Sequence, residues 1–271
     1  MTNPIRATVR RVVNPSSQAL AHYYLDPVPI LRRVYSTGYR RELALIQSEL
    51  NRLSGDWKGF AQDRNTVRMT ERVVEIPWVL SRYHREKRVL DIGTTNANSL
   101  YLRHLQGLGI SELHGVDLAS RRFHKIQMHV SDVRNMPFPD AYFELVLCIS
   151  TIEHIGLNNE RYLVQPQRGA EGDLATLQEI NRVLIPRGRV LITTPCGVAG
   201  THDWYRQYDV PGWRKLVSRA GFEHLSLDLY DHSEAGWKRV SEDSAPAHAY
   251  QSGAPAATGV ICAELIKIPS R

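Results

Sequence analysis

The chain has 271 residues, 34 Lys+Arg against 28 Asp+Glu, a formal net charge of +6, and is 42% hydrophobic and 23% charged. That suits one large globular domain, or one domain with an extension, and excludes a disordered or fibrous chain. No apolar run approaches the ~18 residues of a membrane span, the polar, arginine-bearing start predicts no secretory leader, and three scattered cysteines, Cys148, Cys196 and Cys262, exclude a disulfide framework and predict a reducing, cytoplasmic setting.

Asp26 to Pro29 reads as an extended turn, because proline restricts itself and the residue before it. From about Ile30 to Leu53 apolar residues recur at three- and four-residue steps, predicting one or two amphipathic helices that end near Ser54-Gly55. A second helical stretch covers Met69 to Arg82, with Pro77 as a kink or a new first turn. After Arg88 the pattern changes to short β-branched runs alternating with helices. The predicted strands are Arg88–Ile92, Glu112–Leu118, Lys125–Val130, Glu144–Ser150, Arg189–Thr194, His224–Tyr230 and Gly259–Ile268. Helices are expected at about Asn98–Leu108, Leu174–Leu184 and Val210–Ala220. This alternation predicts a parallel sheet covered by helices on both faces. The division expected is a helical N-terminal extension over residues 1–68 and a catalytic domain over 69–271, with an insertion at 231–258 before the last strand.

The strongest chemical signal is Arg88-Val-Leu-Asp-Ile-Gly-Thr-Thr-Asn-Ala-Asn-Ser-Leu100. A buried strand delivers Asp91 and then Gly93 into a turn that opens a helix, whose first N–H groups are free. A second strand, Leu113 to Leu118, ends in Asp117, an acid placed to bind the two hydroxyls of a ribose. An acid at a strand end is also a common helix cap; the pair in this context favours function. A dinucleotide fingerprint needs three glycines, and only Gly93 is present, with Thr95 and Asn98 at the other positions. Asp91 would be awkward beside a pyrophosphate and suits a ligand with a cationic amino group, which favours S-adenosylmethionine over NAD.

The ordered series Val-Leu-Asp91-Ile-Gly93, Gly-Val-Asp117-Leu, Ser131-Asp-Val, Pro137-Phe-Pro-Asp-Ala-Tyr-Phe-Glu-Leu-Val146, Ile152-Glu-His-Ile155 and Leu184-Ile-Pro-Arg-Gly-Arg-Val-Leu-Ile-Thr-Thr-Pro195 resembles the class I S-adenosylmethionine-dependent methyltransferases over roughly residues 70–230. The resemblance implies a Rossmann-like seven-stranded sheet of order 3-2-1-4-5-7-6, with strand 7 antiparallel. It places Asp91, Gly93, Thr94 and Thr95 around the methionine part, Asp117 on the ribose, Leu118 on the adenine, Asp132 and the Val133 N–H at the adenine edge, and Ser150 and Thr151 on the path to the methyl group. One departure is Thr95, where the family usually has a second glycine. A side chain there either narrows the pocket or marks a loop that runs differently.

Methyl transfer to an alcohol needs the acceptor aligned and its proton removed. His154, just beyond the fourth strand, is the natural base: ligands bind at the carboxyl ends of such strands, and an imidazole titrates near neutral pH. The Thr201–Asp209 segment adds a second polar cluster, from which His202 and Asp203 are further catalytic candidates. No fixed ligand spacing among Glu153, His154, His202 and Asp203 supports a metal. Ser150–Leu157, Glu171–Arg182, Glu75–Leu80 and Tyr205–Asp209 are similar to methyltransferases of surface-polysaccharide biosynthesis, implying a sugar or glycan hydroxyl as acceptor. A natural-product or other small-molecule acceptor is the alternative. Nucleic acid ranks third, since no base-flipping or RNA-binding motif is present.

The excess charge is local. Residues 1–90 hold 16 Lys+Arg against 8 Asp+Glu. Arg32, Arg33, Arg40 and Arg41 on the helical lead-in are therefore expected either to receive an anionic acceptor or to be a solvated surface.

Overall fold

The computed structural model describes residues 36–53, 57, 66–67, 69–160, 169, 171–249 and 257–268. The expected turn at Asp26–Pro29, the start of the first predicted helix, and Arg32 and Arg33 lie outside them.

Helix α1, Ser36–Arg52, and helix α2, Arg72–Ser81, precede the sheet. Burial runs almost unbroken along α2, from Val73 to Leu80, so this helix is covered on all sides. Pro77 stands inside it, because its missing N–H costs only one bond in a helix held by its neighbours. Then follow β1 (Arg88–Ile92), helix α3 (Ser99–Gly107), β2 (Glu112–Asp117), β3 (Gln127–Val130), β4 (Phe143–Ile149), helix α4 (Gly172–Val183), β5 (Leu184–Pro195), the short pair β6 (Gly200–Thr201) and β7 (Arg206–Gln207), helix α5 (Val210–Arg219), β8 (Phe222–Ser233), β9 (Gly236–Val240) and β10 (Gly259–Lys267).

One sheet runs β3-β2-β1-β4-β5-β10-β8-β9. β1 to β5 pair in parallel, and β10 is antiparallel to both β5 and β8. The first seven strands in this order reproduce the expected 3-2-1-4-5-7-6. The expected total of seven is corrected to eight. The extra strand, β9, lies inside the insertion expected from residue 231 to 258. β8 runs on to Ser233, turns at Gly236 with φ +91°, and returns as β9 paired with its own preceding strand. The conformation at Gly236 is one that a residue with a Cβ adopts only under strain. β5 also begins earlier than its β-branched run, because α4 passes into it without a loop.

Strand side chains alternate between two cores, as a period of two requires. Leu90, Val146, Ile192 and Ile261 join the core under α4 and α5. Val89, Leu145, Leu191 and Val260 join the core under α1, α2 and α3. Buried polar contacts fix α2 to the sheet. Asp228 on β8 accepts from Trp78 Nε1 at 2.8 Å and from Arg82 Nη2 at 2.9 Å, and also pairs with Arg239. Among the described residues no helix is long and apolar enough to cross a membrane, and the three cysteines are free and buried.

Candidate active site

A cavity opens at the carboxyl ends of β1, β2 and β4. One wall holds Gly93, Asp117, Leu118, Asp132 and Val133; the other holds Ser150, Thr151 and His154. Of the residues expected to bind cofactor, Asp91, Thr94 and Thr95 do not line it.

The first wall starts at Gly93, in the left-handed region at φ +80°. A Cβ here would stand 2.4 Å from Thr151 Oγ1 and 2.9 Å from its Cγ2, so glycine is required both for the turn and for the close approach of β4. Residues Thr94–Asn96 form a 3₁₀ turn, and Asn98 caps α3 by accepting from Leu100 N at 2.9 Å. Thr95 is tied away from the cavity. Its N–H donates to Asp117 Oδ2 at 2.9 Å, its hydroxyl to the Ala119 carbonyl at 2.8 Å, and its own carbonyl accepts from Arg121 at 3.2 Å. The threonine side chain is thus held outside the cavity lining.

Asp91 is buried beneath this turn. Its Oδ1 accepts from Tyr101 Oη at 2.6 Å, while its Oδ2 has no partner among the described residues. Burial pushes the carboxyl up to about 7; hydrogen bonds from Tyr101 and Thr94 oppose the rise, and the nearby Asp117 adds to it. Asp117 is raised as well, mainly by burial, against the N–H groups of Thr95, Ala119 and Leu118. Asp132 is different. Burial acts to raise it, but Arg134, whose guanidinium reaches both carboxylate oxygens and whose main-chain N–H reaches one, outweighs that and holds it low.

On the second wall Ser150 follows β4 with φ +41°, a strained conformation for a residue with a Cβ. Its hydroxyl donates to Glu75 Oε1 at 2.5 Å. Glu75, fully buried on α2, also accepts from Thr193 Oγ1 at 2.8 Å and from Arg72 at 2.5 Å. Thr151 donates to the Ile149 carbonyl at 2.9 Å. His154 Nδ1 lies 2.8 Å from the Trp204 carbonyl, which can only accept, so that nitrogen carries the proton of the neutral ring and Nε2 is its basic atom. The Trp204 ring lies flat on the imidazole at 5.2 Å and 8°. Glu153 Oε1 stands 3.7 Å from His154 Nε2, and burial pushes Glu153 up to about 8, with Glu75 adding to the rise.

His202 and Asp203 do not reach the cavity wall. The Asp203 carboxylate accepts from Asn158 Nδ2 at 3.1 Å, and its carbonyl accepts from Asn158 N. His202 N donates to the Tyr205 carbonyl. With Arg206 donating to the Ile155 carbonyl at 2.9 Å, this segment is stitched onto the turn that carries His154. Among the described residues no cluster of His, Cys, Asp or Glu is arranged to hold a metal.

The sequence reading missed several lining residues: Tyr101, Glu42, Arg72, Arg134 and Asn159. Tyr101 sits on the buried face of α3 and reads as core. Glu42 holds Thr70 through both carboxylate oxygens, at 2.8 and 2.9 Å, a contact between distant elements without a local signature. Of the expected arginines, Arg40 and Arg41 are exposed on α1, and neither lines the cavity.

A family model described as a methyltransferase domain matches residues 40–229. With that match and this strand order, the chain belongs to the class I S-adenosylmethionine-dependent methyltransferases. Its fold is similar to the [4+2]-cyclase SpnF, at 15% identity and TM-score 0.52, covering 86% of this chain and 95% of that one. It is also similar to a Methanosarcina mazei S-adenosylmethionine-dependent methyltransferase (11% identity, TM-score 0.47, 71% and 97% covered). A third likeness is the Burkholderia thailandensis 1,6-didemethyltoxoflavin-N1-methyltransferase, solved with bound 1,6-didemethyltoxoflavin and S-adenosylhomocysteine (14%, 0.47, 99% and 92%). No curated protein sequence matches the chain.

Proposed function

We propose that this protein transfers a methyl group from S-adenosylmethionine to a hydroxyl of a small polar acceptor, with a sugar or glycan as the leading class. The observation that supports this is one cavity lined on one side by Gly93, Asp117 and Leu118 and on the other by Ser150, Thr151 and His154. The unpartnered, buried Asp91 Oδ2 and the glycine-only approach at Gly93 fit a ligand carrying an ammonium group. When bound, the cofactor supplies a methyl group already activated on a sulfonium. Gly93 and Asp91 then receive its amino-acid end, with Thr94 and Thr95 shaping the turn from behind, Asp117 the ribose, and Leu118, Asp132 and Val133 the adenine. His154 orients the acceptor and takes its hydroxyl proton at Nε2, with Nδ1 fixed by the Trp204 carbonyl. His202 and Asp203 serve by holding the loop that bears Trp204.

One observation favours the second reading, a natural-product or other small-molecule acceptor. The aromatics suited to stacking on a sugar are otherwise engaged: Tyr205 and Tyr208 are buried, and Trp204 lies on His154. We further propose a boundary at residues 68/69, with the region before it closing the acceptor side through Glu42, and a cytoplasmic location, supported by three free thiols.

Release of S-adenosylhomocysteine, measured against nucleotide-sugars, free glycosides, phenolic natural products and RNA, tests the acceptor. Turnover confined to the sugars supports the first reading, and turnover confined to phenols the second. Calorimetry that finds tight NAD and no S-adenosylmethionine binding overturns both. Full activity in His154→Ala removes it as the base.

A further inference from the structure

We infer that Tyr101 is a positioning residue for the cofactor's amino-acid end: it holds one oxygen of Asp91 so that the other is left to a cationic ammonium. This rests on the cofactor reading above and adds to it a residue of α3 that carries no motif.

The geometry begins with the cap. Asn98 fixes the first turn of α3 by accepting from the N–H groups of Leu100 and Tyr101, at 2.9 and 3.4 Å. Tyr101 therefore leaves the helix at a set angle and reaches back under the turn at Gly93. Its hydroxyl donates to Asp91 Oδ1 at 2.6 Å, and both residues are only 2% exposed. Tyr101 lines the cavity and Asp91 does not, so this hydrogen bond ties the cavity wall to a carboxylate buried beneath it.

A buried carboxylate oxygen without a donor is costly. Asp91 Oδ2 is such an atom. The groups that act on Asp91 from each neighbouring element are Tyr101 on α3, Thr94 on the turn, Asp117 on β2 and Cys148 on β4. None is a cation. Asp117 repels a charge on Asp91, and burial pushes the Cys148 thiol upward so that it stays protonated. The Thr94 hydroxyl donates to the Asp91 main-chain carbonyl at 2.8 Å and, like Tyr101, favours the charged carboxyl without supplying a charge. What the site lacks is a positive partner, and a ligand ammonium supplies one. Binding then requires Asp91 to be ionised, so part of the protein must release a proton to solvent as the ligand enters. Tyr101 makes that release easier, because its hydrogen bond favours the charged carboxylate.

S-adenosylhomocysteine carries the same ammonium and serves as the probe. Its dissociation constant is measured by calorimetry from pH 5.5 to 8.5, in two buffers of different ionisation enthalpy so that proton release is read directly. For the unaltered protein affinity is expected to rise with pH through about 7 and then level off, with proton release below that point. Tyr101→Phe moves the rise to higher pH, so that binding weakens by roughly tenfold per pH unit of displacement on the acid side and changes little at pH 8.5. Asp91→Asn flattens the profile and abolishes the proton release. Equal weakening by Tyr101→Phe at every pH means a purely structural tyrosine and overturns the inference. So does a flat profile for the unaltered protein. Should Tyr101→Phe fail to fold, the unaltered protein and Asp91→Asn still decide, and identical profiles refute it. Absence of S-adenosylhomocysteine binding at every pH is a different result, and it removes the cofactor reading itself.

Discussion

The two walls of the cavity are assembled over very different distances along the chain. On the cofactor wall Tyr101 meets Asp91 ten residues away, and Thr95 meets Asp117 across 22. On the acceptor wall Glu75 reaches Ser150 across 75 residues and Thr193 across 118, and α2 is anchored by a Trp78–Asp228 contact spanning 150. The first wall consists of strand ends and turns, so its shape follows from local backbone rules. The second wall is a buried polar network that exists only once α2 has docked on the sheet. It should respond to mutation as a tertiary contact does, through stability before affinity.

The largest effect is therefore expected from Glu75→Ala. It removes the closer of the two carboxylates beside Arg72, Glu71 standing at 4.0 Å, and leaves the Ser150 and Thr193 hydroxyls without their acceptor. Breaking a buried pair from one side costs about 3–5 kcal/mol, which urea unfolding would read as a lower midpoint with an unchanged slope. A loss below about 1 kcal/mol would mean the network adds little and the two walls differ less than their geometry suggests. On the other wall Gly93→Ala is the matching test. The added Cβ meets Thr151 at 2.4 Å in a left-handed turn, at a cost of about 1–3 kcal/mol in backbone strain alone. S-adenosylhomocysteine affinity should fall roughly tenfold or more. Unchanged affinity would show that the turn has room to move.

How much of this was legible beforehand follows the same division. Asp91, Gly93 and Asp117 stand in short runs with local patterns, and the strand order through β10 is what the family resemblance of those runs implies. β9 has only a faint local mark, Gly236 followed by Trp-Lys-Arg-Val, and the insertion that contains it continues as Ser241-Glu-Asp-Ser-Ala-Pro246, which carries no strand pattern. Thr95 looked like an obstruction, and its escape depends on Ala119 and Arg121, which the sequence does not mark as neighbours. Glu75, Glu42 and Arg72 read as ordinary helix residues. Their role needs the packing of α1 and α2 against β4 and β5, and a helix period reports only which face is apolar.

Two sets of buried groups are also predicted to answer pH in opposite directions: a histidine pair near the cofactor wall, and the raised carboxyls of both walls, Asp91 and Asp117 included. Near the cofactor wall, His114 on β2 faces His129 on β3, with Nδ1 and Nε2 3.0 Å apart. Burial lowers both, and for His114 the neighbouring His129 lowers it further. Below the ordinary histidine range the unfolded chain takes up protons that the folded pair resists, so stability falls as pH drops. On the acceptor wall burial raises Glu153 to about 8 and lifts Glu71 strongly, with Glu75 adding to both. A carboxyl raised in the fold contributes stability that is complete below its ordinary value near 4.5 and lost as pH rises toward 8. Unfolding midpoints across pH should peak on the mildly acid side of neutrality. Glu153→Gln should flatten the alkaline limb and His129→Gln the acid limb. If either change alters the other limb, the two regions are coupled rather than independent.

The smallest effect is expected where the sequence first drew notice, at the basic lead-in. Arg40 and Arg41 are exposed on α1 and do not line the cavity, whereas the next residue, Glu42, is buried, lines it, and grips Thr70. Helix α1 thus turns an acid toward the cavity and its neighbouring arginines toward water. Replacing both arginines by glutamine should change stability by no more than about 0.5 kcal/mol. It should also leave the affinity for S-adenosylhomocysteine and its salt dependence unchanged, because charges facing solvent are screened within about 10 Å at 0.1 M salt. Glu42→Gln is the informative contrast. It weakens the acceptance of two hydrogen bonds from Thr70 and should cost more than the paired arginine change, even though it removes only one charge. If the arginine pair instead weakens turnover of an anionic acceptor and flattens its salt dependence, the positive surface takes part in recruiting that acceptor. The acceptor wall would then extend beyond the cavity onto the outer face of α1.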